Sequence, residues 1–198
     1  MKTFFHPLME NNIDQSDIKS LLKFINSNNA KIFTQSSKVK EFEKKWSKWL
    51  GVKYSVFVNS GSSANLLSMS LIKLFYGSGE VIVPSLTWIS DIASVMQNGL
   101  TPKFVDVNLG NLSMNEDEVI KSINKKTKAV FLTHAQGFNG LSSRLINILK
   151  DRKIPLIEDV CESHGAKFKG KKLGRFGLIS NFSFYYAHHM TTIEGGML

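Results

Sequence analysis

From residue 54 onward the apolar positions fall into short β-rich runs, at 54–58, 80–84, 103–107, 129–133 and 155–159. Between them lie stretches with helical spacing, at 64–75, 88–97, 115–123 and 142–151. Strand alternating with helix predicts βαβ units, and therefore an α/β fold with a mainly parallel sheet and helices on both faces. Two helices are expected ahead of the sheet. In the first, Ile18, Leu21, Leu22 and Ile25 recur at helical spacing behind Asp14 and Ser16, either of which suits an N-cap. In the second, Val39, Phe42, Trp46 and Leu50 share a face behind Ser36 and Ser37, and Gly51 stands where a left-handed C-terminal residue belongs. That aromatic stripe reads as core. After Asp159, residues 167–177 read as a turn-rich hairpin leading into a strand at 181–186. Residues 194–198 read as a turn entering one more strand, and a sheet cut there would leave an unpaired edge and an open core. The expectation is a single unit over 1–198, two N-terminal helices and a large domain, from which a C-terminal small domain is missing.

Composition narrows the partners. The 198 residues, 42% of them hydrophobic, suffice for one domain with a substantial core. A net charge of +9 is spread among acidic residues, without an arginine-rich run, which favours anionic small ligands over nucleic acid. The one cysteine, Cys161, cannot form an internal disulfide, consistent with a reducing compartment. His6 and Pro7 interrupt the N-terminus before a signal-peptide core forms, and no apolar run approaches the ~20 residues that span a bilayer. A cytoplasmic protein without membrane partners is expected.

In open α/β sheets the ligand lies beyond the carboxyl ends of the strands, and three segments there carry candidate chemistry. Asn59 to Asn65 is a small-residue turn opening a helix. Its amides and the hydroxyls of Ser62 and Ser63 suit a phosphate that Gly61 lets approach, or else the serines simply cap the helix. Asp159, after the apolar run ending at Ile157, either pairs with a protonated ring nitrogen or caps the next helix. The third segment holds Ser183 and the adjacent His188 and His189. Neighbouring histidines in an extended stretch point to opposite sides, so at most one faces a site and no metal pair is expected.

In order, the stretches FVNSGSSANLL, EVIVPSLTWIS, PKFVDV, KAVFLTH, IPLIEDVCESHGAKFKGKKLGRFG and FSFYYAHHMTTIEGGM resemble the DegT/DnrJ/StrS family of sugar aminotransferases along nearly the whole chain. The resemblance implies the large domain of the fold-type I, aspartate aminotransferase-like enzymes and the cofactor pyridoxal 5′-phosphate or pyridoxamine 5′-phosphate. It places Gly61, Ser62, Ser63 and Ser183 at the cofactor phosphate, Trp88 against the pyridine ring, and an ionised Asp159 on the ring nitrogen. It also implies a homodimer.

Two positions depart from the aminotransferase pattern. Glu162 stands where glutamine is usual, close to the ring-binding Asp159. His188 stands in place of the lysine that forms a Schiff base with the cofactor, and an imidazole has no primary amine to do so. A histidine there resembles the sugar 3-dehydratase branch of the family. The branch implies a free pyridoxamine phosphate that condenses with a nucleotide-linked 4-keto-6-deoxy sugar, with His188 as general base while the C3 hydroxyl leaves and glutamate restoring the amine. Such chemistry belongs to cell-surface polysaccharide or deoxysugar biosynthesis. CDP-sugar relatives hold an iron–sulfur cluster on cysteines, and with only Cys161 the chain leans to the cluster-free type. The competing readings are an aminotransferase making a 3- or 4-amino sugar and an inactive cofactor-binding or regulatory protein. No chemistry is assigned to His189, and His134 and His164 read as structural. Lys167, Lys169, Lys171, Lys172 and Arg175 read as a solvated hairpin before an attractor of diphosphate. The stretch Gln136 to Gly140 departs from the family text, so no substrate contact is assigned there.

Overall fold

Strands that are apolar on both faces need helices on both faces, and the computed structural model has that layering. It describes residues 12–27 and 32–198; the segment containing His6 and Pro7 lies outside the described residues. The helices are α1 (Gln15–Ile25), α2 (Ser37–Leu50), α3 (Gly61–Tyr76), α4 (Ile89–Gln97), α5 (Glu116–Ser122) and α6 (Ser143–Asp151). The strands are β1 (Phe57–Val58), β2 (Glu80–Pro84), β3 (Thr101–Val105), β4 (Thr127–Thr133), β5 (Leu156–Asp159), β6 (Lys167–Phe168), β7 (Lys171–Lys172), β8 (Ile179–Ser183) and β9 (Gly196–Met197). Seven strands form one sheet in the order β1-β9-β8-β5-β4-β2-β3, and β6 pairs with β7 in the expected hairpin. The five strands from β8 to β3 run parallel.

Alternation along the strands divides the core in two. Ile82, Val130 and Leu132 face Trp46 of α2, Val119 of α5 and Leu145 and Leu149 of α6. Val81, Val83, Ala129, Phe131 and Ile157 face Met69 and Ile72 of α3 and Val95 of α4. Each large side chain so buried stabilises by roughly 1.5–3 kcal/mol. Helix starts are set by short polar caps: Ser142 Oγ accepts the Leu145 amide at 2.9 Å, and Asn115 Oδ1 accepts the Asp117 amide at 3.0 Å.

Three expectations change. The last strand, β9, is no edge. It inserts between β8 and β1, pairing antiparallel with Phe182 and Ser183 on one side and Phe57 and Val58 on the other. Two residues suffice because Gly196 lies against the Ser60 backbone, where a Cβ would stand 2.2 Å from the Ser60 carbonyl oxygen. Openness of the core is found instead on α3, where Leu74 and Phe75 are each 72% exposed. The α1 stripe also remains exposed, and that helix is fixed by a capping box in which Asp14 and Asp17 each accept the other's amide. Strand limits shift by two or three residues at β1, β3, β4 and β8.

The basic hairpin packs on α2. Lys172 Nζ donates to the Trp49 carbonyl at 2.7 Å and lies 4.9 Å from the Trp49 ring centroid. It satisfies an end carbonyl of the helix while covering an aromatic face.

Candidate active site

The carboxyl ends of β2, β4, β5 and β8 open onto one region, into which the N-terminus of α3 points. There the first-turn amides have no partner four residues back. Ser60 caps the turn, its Oγ accepting the Ser63 amide at 3.1 Å and its carbonyl accepting the Ala64 amide at 3.1 Å. Gly61 is buried against the end of β8: a Cβ there would stand 2.6 Å from Ser183 Cβ and 3.2 Å from Cys161 Sγ. Gly61 and Ser183, far apart in sequence, are thus neighbours, and Ser62 and Ser63 follow Gly61 in the same turn. Gly61→Ala is expected to push α3 off β8, costing about 1–3 kcal/mol and weakening any binding of an anion at this turn. Urea unfolding and inorganic phosphate titration would measure the two effects.

Asp159, 4% exposed, ends β5. Its Oδ1 accepts the Cys161 amide at 2.8 Å in a turn that leads into no helix, so the alternative role as a helix cap is not taken. Its Oδ2 accepts from Asn65 Nδ2 at 3.2 Å. The same nitrogen donates at 2.6 Å to Asp91, a second carboxylate that is 1% exposed. Burial, and then the charge of Asp159, pushes the Asp91 carboxyl well above the usual range. Burial, and then Asp159, pushes the Cys161 thiol up, so it stays protonated. Asp91, Asn65, Thr87 and Thr133 were missed as site residues. The signal was present: Asp91 lies four residues before Val95, a carboxylate on the apolar face of α4.

Trp88 immediately precedes α4 and is 66% exposed at the mouth of this region, not sandwiched between strand and helix. Glu162 projects from the turn after β5, where its Oε2 accepts the Gln136 backbone amide at 2.8 Å. That contact holds Gln136 in a left-handed conformation with φ of 52°.

His188 lies in the turn after β8, half-buried, its amide bonded to the Tyr185 carbonyl at 3.0 Å. Because this segment turns rather than extends, the two adjacent histidines do not point to opposite sides. Both flank His164, with ring centroids 6.1 Å away for His188 and 5.8 Å for His189. His164 packs on Trp46, Phe182 and Phe184, and its pKa is pushed down to about 3 by burial and then by the two other imidazoles. Burial likewise lowers His188, against the opposing pull of Asp159 and Glu162. His188 is therefore an unprotonated imidazole at neutral pH, within electrostatic reach of the two acids. Among the described residues, no helix is long and apolar enough to cross a membrane.

A parallel α/β sheet with this strand-end site is the large domain of the fold-type I, aspartate aminotransferase-like enzymes. Two solved structures superpose with a TM-score of 0.89 and 35% identity over 98% of this chain and 50% of theirs. One is Escherichia coli GDP-4-keto-6-deoxy-D-mannose-3-dehydratase with bound hydrated PLP. The other is GDP-4-keto-6-deoxymannose-3-dehydratase with a trapped PLP-glutamate geminal diamine. The chain belongs to the DegT/DnrJ/EryC1/StrS aminotransferase family, whose sequence profile matches residues 11–198. It is 35% identical to GDP-4-keto-6-deoxy-D-mannose 3-dehydratase of Yersinia pseudotuberculosis over 96% of this chain and 49% of that protein. It is 36% identical to GDP-perosamine synthase of Escherichia coli O157:H7 over 84% of this chain and 46% of that protein. The chain thus spans about half the length of these relatives.

Proposed function

We propose that this chain forms the cofactor-binding part of a nucleotide-sugar 3-dehydratase, which removes the C3 hydroxyl of a 4-keto-6-deoxy sugar. The observation that carries the reading is the unprotonated His188 imidazole, standing where the family's aminotransferases place a lysine and within electrostatic reach of Asp159 and Glu162. The residues suit pyridoxamine 5′-phosphate. Gly61 lets the first turn of α3 lie directly against Ser183, where a Cβ would stand 2.6 Å from Ser183 Cβ, Asp159 is a buried carboxylate at the strand end, and Trp88 offers an open aromatic face. When bound, the cofactor supplies an amine for the ketone and an aromatic electron sink.

In this reading the Gly61 and Ser62 amides and the Ser62, Ser63 and Ser183 hydroxyls hold the phosphate at the positive end of α3. Trp88 would cover one ring face, and the Asp159 carboxyl would meet the ring nitrogen, with Glu162 nearby. His188 would be the general base, its unprotonated ring able to accept a proton during the elimination and to hand it to the departing C3 oxygen. A nucleotide-linked sugar as substrate and glutamate as amine donor fit the related dehydratases and the glutamate adduct in one of them. The reading includes a homodimer and a cytoplasmic reaction in deoxysugar or surface-polysaccharide synthesis.

A second reading, amino transfer to the same class of sugar, draws on the likeness to GDP-perosamine synthase. Product analysis separates them. With pyridoxamine phosphate, glutamate and a panel of GDP-, CDP- and dTDP-linked 4-keto-6-deoxy sugars, the expected product is a 3-deoxy-4-keto sugar. An amino sugar would transfer the chain to the second reading, and failure to bind either form of the cofactor would mark an inactive relative.

A further inference from the structure

Beside Asp159, three oxygens form a closed triangle. Thr133 Oγ1 stands 2.8 Å from Asp91 Oδ2 and 2.7 Å from Thr87 Oγ1, and Thr87 Oγ1 donates to the same Asp91 oxygen. Two threonine hydroxyls bring two hydrogens to three contacts. The remaining contact would set lone pair against lone pair unless a third hydrogen is supplied, and the only other group in the triangle able to carry one is the Asp91 carboxyl. The other Asp91 oxygen is taken by Asn65 Nδ2 at 2.6 Å, a nitrogen that also reaches Asp159 Oδ2 at 3.2 Å and Ser90 Oγ at 3.0 Å. Asn65 Oδ1 is buried without a partner, so this amide is held in place by the two acids and not by its own acceptor side. Among the described residues no lysine or arginine forms an ion pair with Asp91 or Asp159; the titratable groups facing Asp91 are Asp159 and the protonated Cys161 thiol. Two buried carboxylates without a cation cannot both ionise at low cost.

We propose that Asp91 is kept as a neutral carboxylic acid by the Thr87–Thr133 triangle and, through Asn65, serves as the positioning residue for Asp159, so that the pair presents a single negative charge to the ligand. This deepens the proposed function, resting on its reading of Asp159 as the partner of a ring nitrogen. With Asp91 neutral, the Asn65 amide is shared rather than captured, and Asp159 keeps its charge directed out of the strand end. An ionised Asp91 would compete for that amide and repel Asp159 from its seat.

Infrared difference spectroscopy of the cofactor-free protein tests the protonation. A carboxylic-acid C=O stretch is expected at neutral pH, absent in Asp91→Asn and displaced, but still present, in Thr133→Val, which removes one side of the triangle. Finding only carboxylate bands in the native protein would overturn the proposal, and this measurement stands even if Asp91→Asn fails to fold. Positioning is read from binding of pyridoxamine 5′-phosphate followed by absorbance. Asp91→Asn, an uncharged mimic of the acid, is expected to bind within about threefold of native, and Asp91→Leu to lose about tenfold or more. Native-like affinity in the leucine variant would overturn the positioning role. If the native protein bound no pyridoxamine phosphate while showing the acid band, the functional reading would fall and the neutral Asp91 would stand; if the band were missing, Asp91 would fall on its own.

Discussion

Replacing His188 with asparagine is expected to lower the rate of C3 deoxygenation by about 10²- to 10⁴-fold, the usual contribution of a positioned general base. Binding of pyridoxamine phosphate should be kept, because the residues assigned to its phosphate and ring lie on α3, just before α4, on β5 and the turn after it, and on β8 rather than in the His188 turn. Asparagine roughly matches the imidazole in reach and polarity but cannot accept and return a proton, so a selective loss of kcat isolates the proton transfer. The pH profile gives an independent check. Activity requires the unprotonated ring, and burial lowers the His188 pKa below its ordinary value of about 6.5. The rate should therefore hold at neutral pH and fall only as the pH drops through that lowered value. His188→Lys makes the converse test. A primary amine at this position condenses with the aldehyde form of the cofactor, so borohydride should fix pyridoxal to the variant and leave the native chain unlabelled. Retained deoxygenation in His188→Asn, or covalent trapping on another side chain of the native protein, would remove His188 from the chemistry.

How much of this was legible beforehand depended on the range over which each feature is determined. The runs at 80–84 and 129–133 lie within β2 and β4 because strands buried on both faces must be apolar throughout, a local signal. Trp46 and Leu50 were readable as core for the same kind of reason, a stripe at helical spacing ending at Gly51, whose φ is 84°. The place of β9 was not readable. Two residues carry no periodicity, and their insertion between β8 and β1 depends on the close approach of Gly196 to Ser60, nearly the whole length of the domain away in sequence. The site divides in the same way. Asp159 and the Gly61 turn stand at strand and helix ends, where sequence order alone directs attention. Asp91 sits inside a helix, and its meaning comes from Asn65, Thr87 and Thr133, contributed by separate segments. The two histidines were misread because a strand was extended past Ser183. The chain turns there, with the Ser183 hydroxyl accepting the Tyr185 amide at 3.2 Å.

The largest loss of stability is expected at Glu158, the neighbour of Asp159 that points the other way. Fully buried, it accepts three backbone amides from the segment joining the hairpin to β8: Gly174 at 3.0 Å, Phe176 at 2.8 Å and Gly177 at 2.6 Å. A fourth contact comes from His134, whose Nδ1 accepts the Gly140 amide at 3.1 Å and so leaves the proton on Nε2, 3.1 Å from Glu158. Burial alone would raise this carboxyl, yet the bonds from His134 and from the Gly174 and Gly177 amides outweigh it and hold the group below its usual range. Glu158→Gln turns an acceptor into a donor facing N–H groups, and Glu158→Ala leaves all four donors buried and unmet. Either is expected to cost about 3–5 kcal/mol, a fall of roughly 6–20 °C in Tm for a domain of this size. The linkage has a definite sign. Because the folded value is depressed, the contribution is complete above the unfolded carboxylate value of about 4.3 and is lost as the pH falls through the folded one. Urea midpoints of the native chain should therefore drop on acidification below that value, and those of Glu158→Gln should drop less. Equal pH slopes, or a loss under about 1 kcal/mol, would mean that the loop is held by its apolar contacts and that the charge of Glu158 is incidental to placing Asp159 and Ser183 side by side.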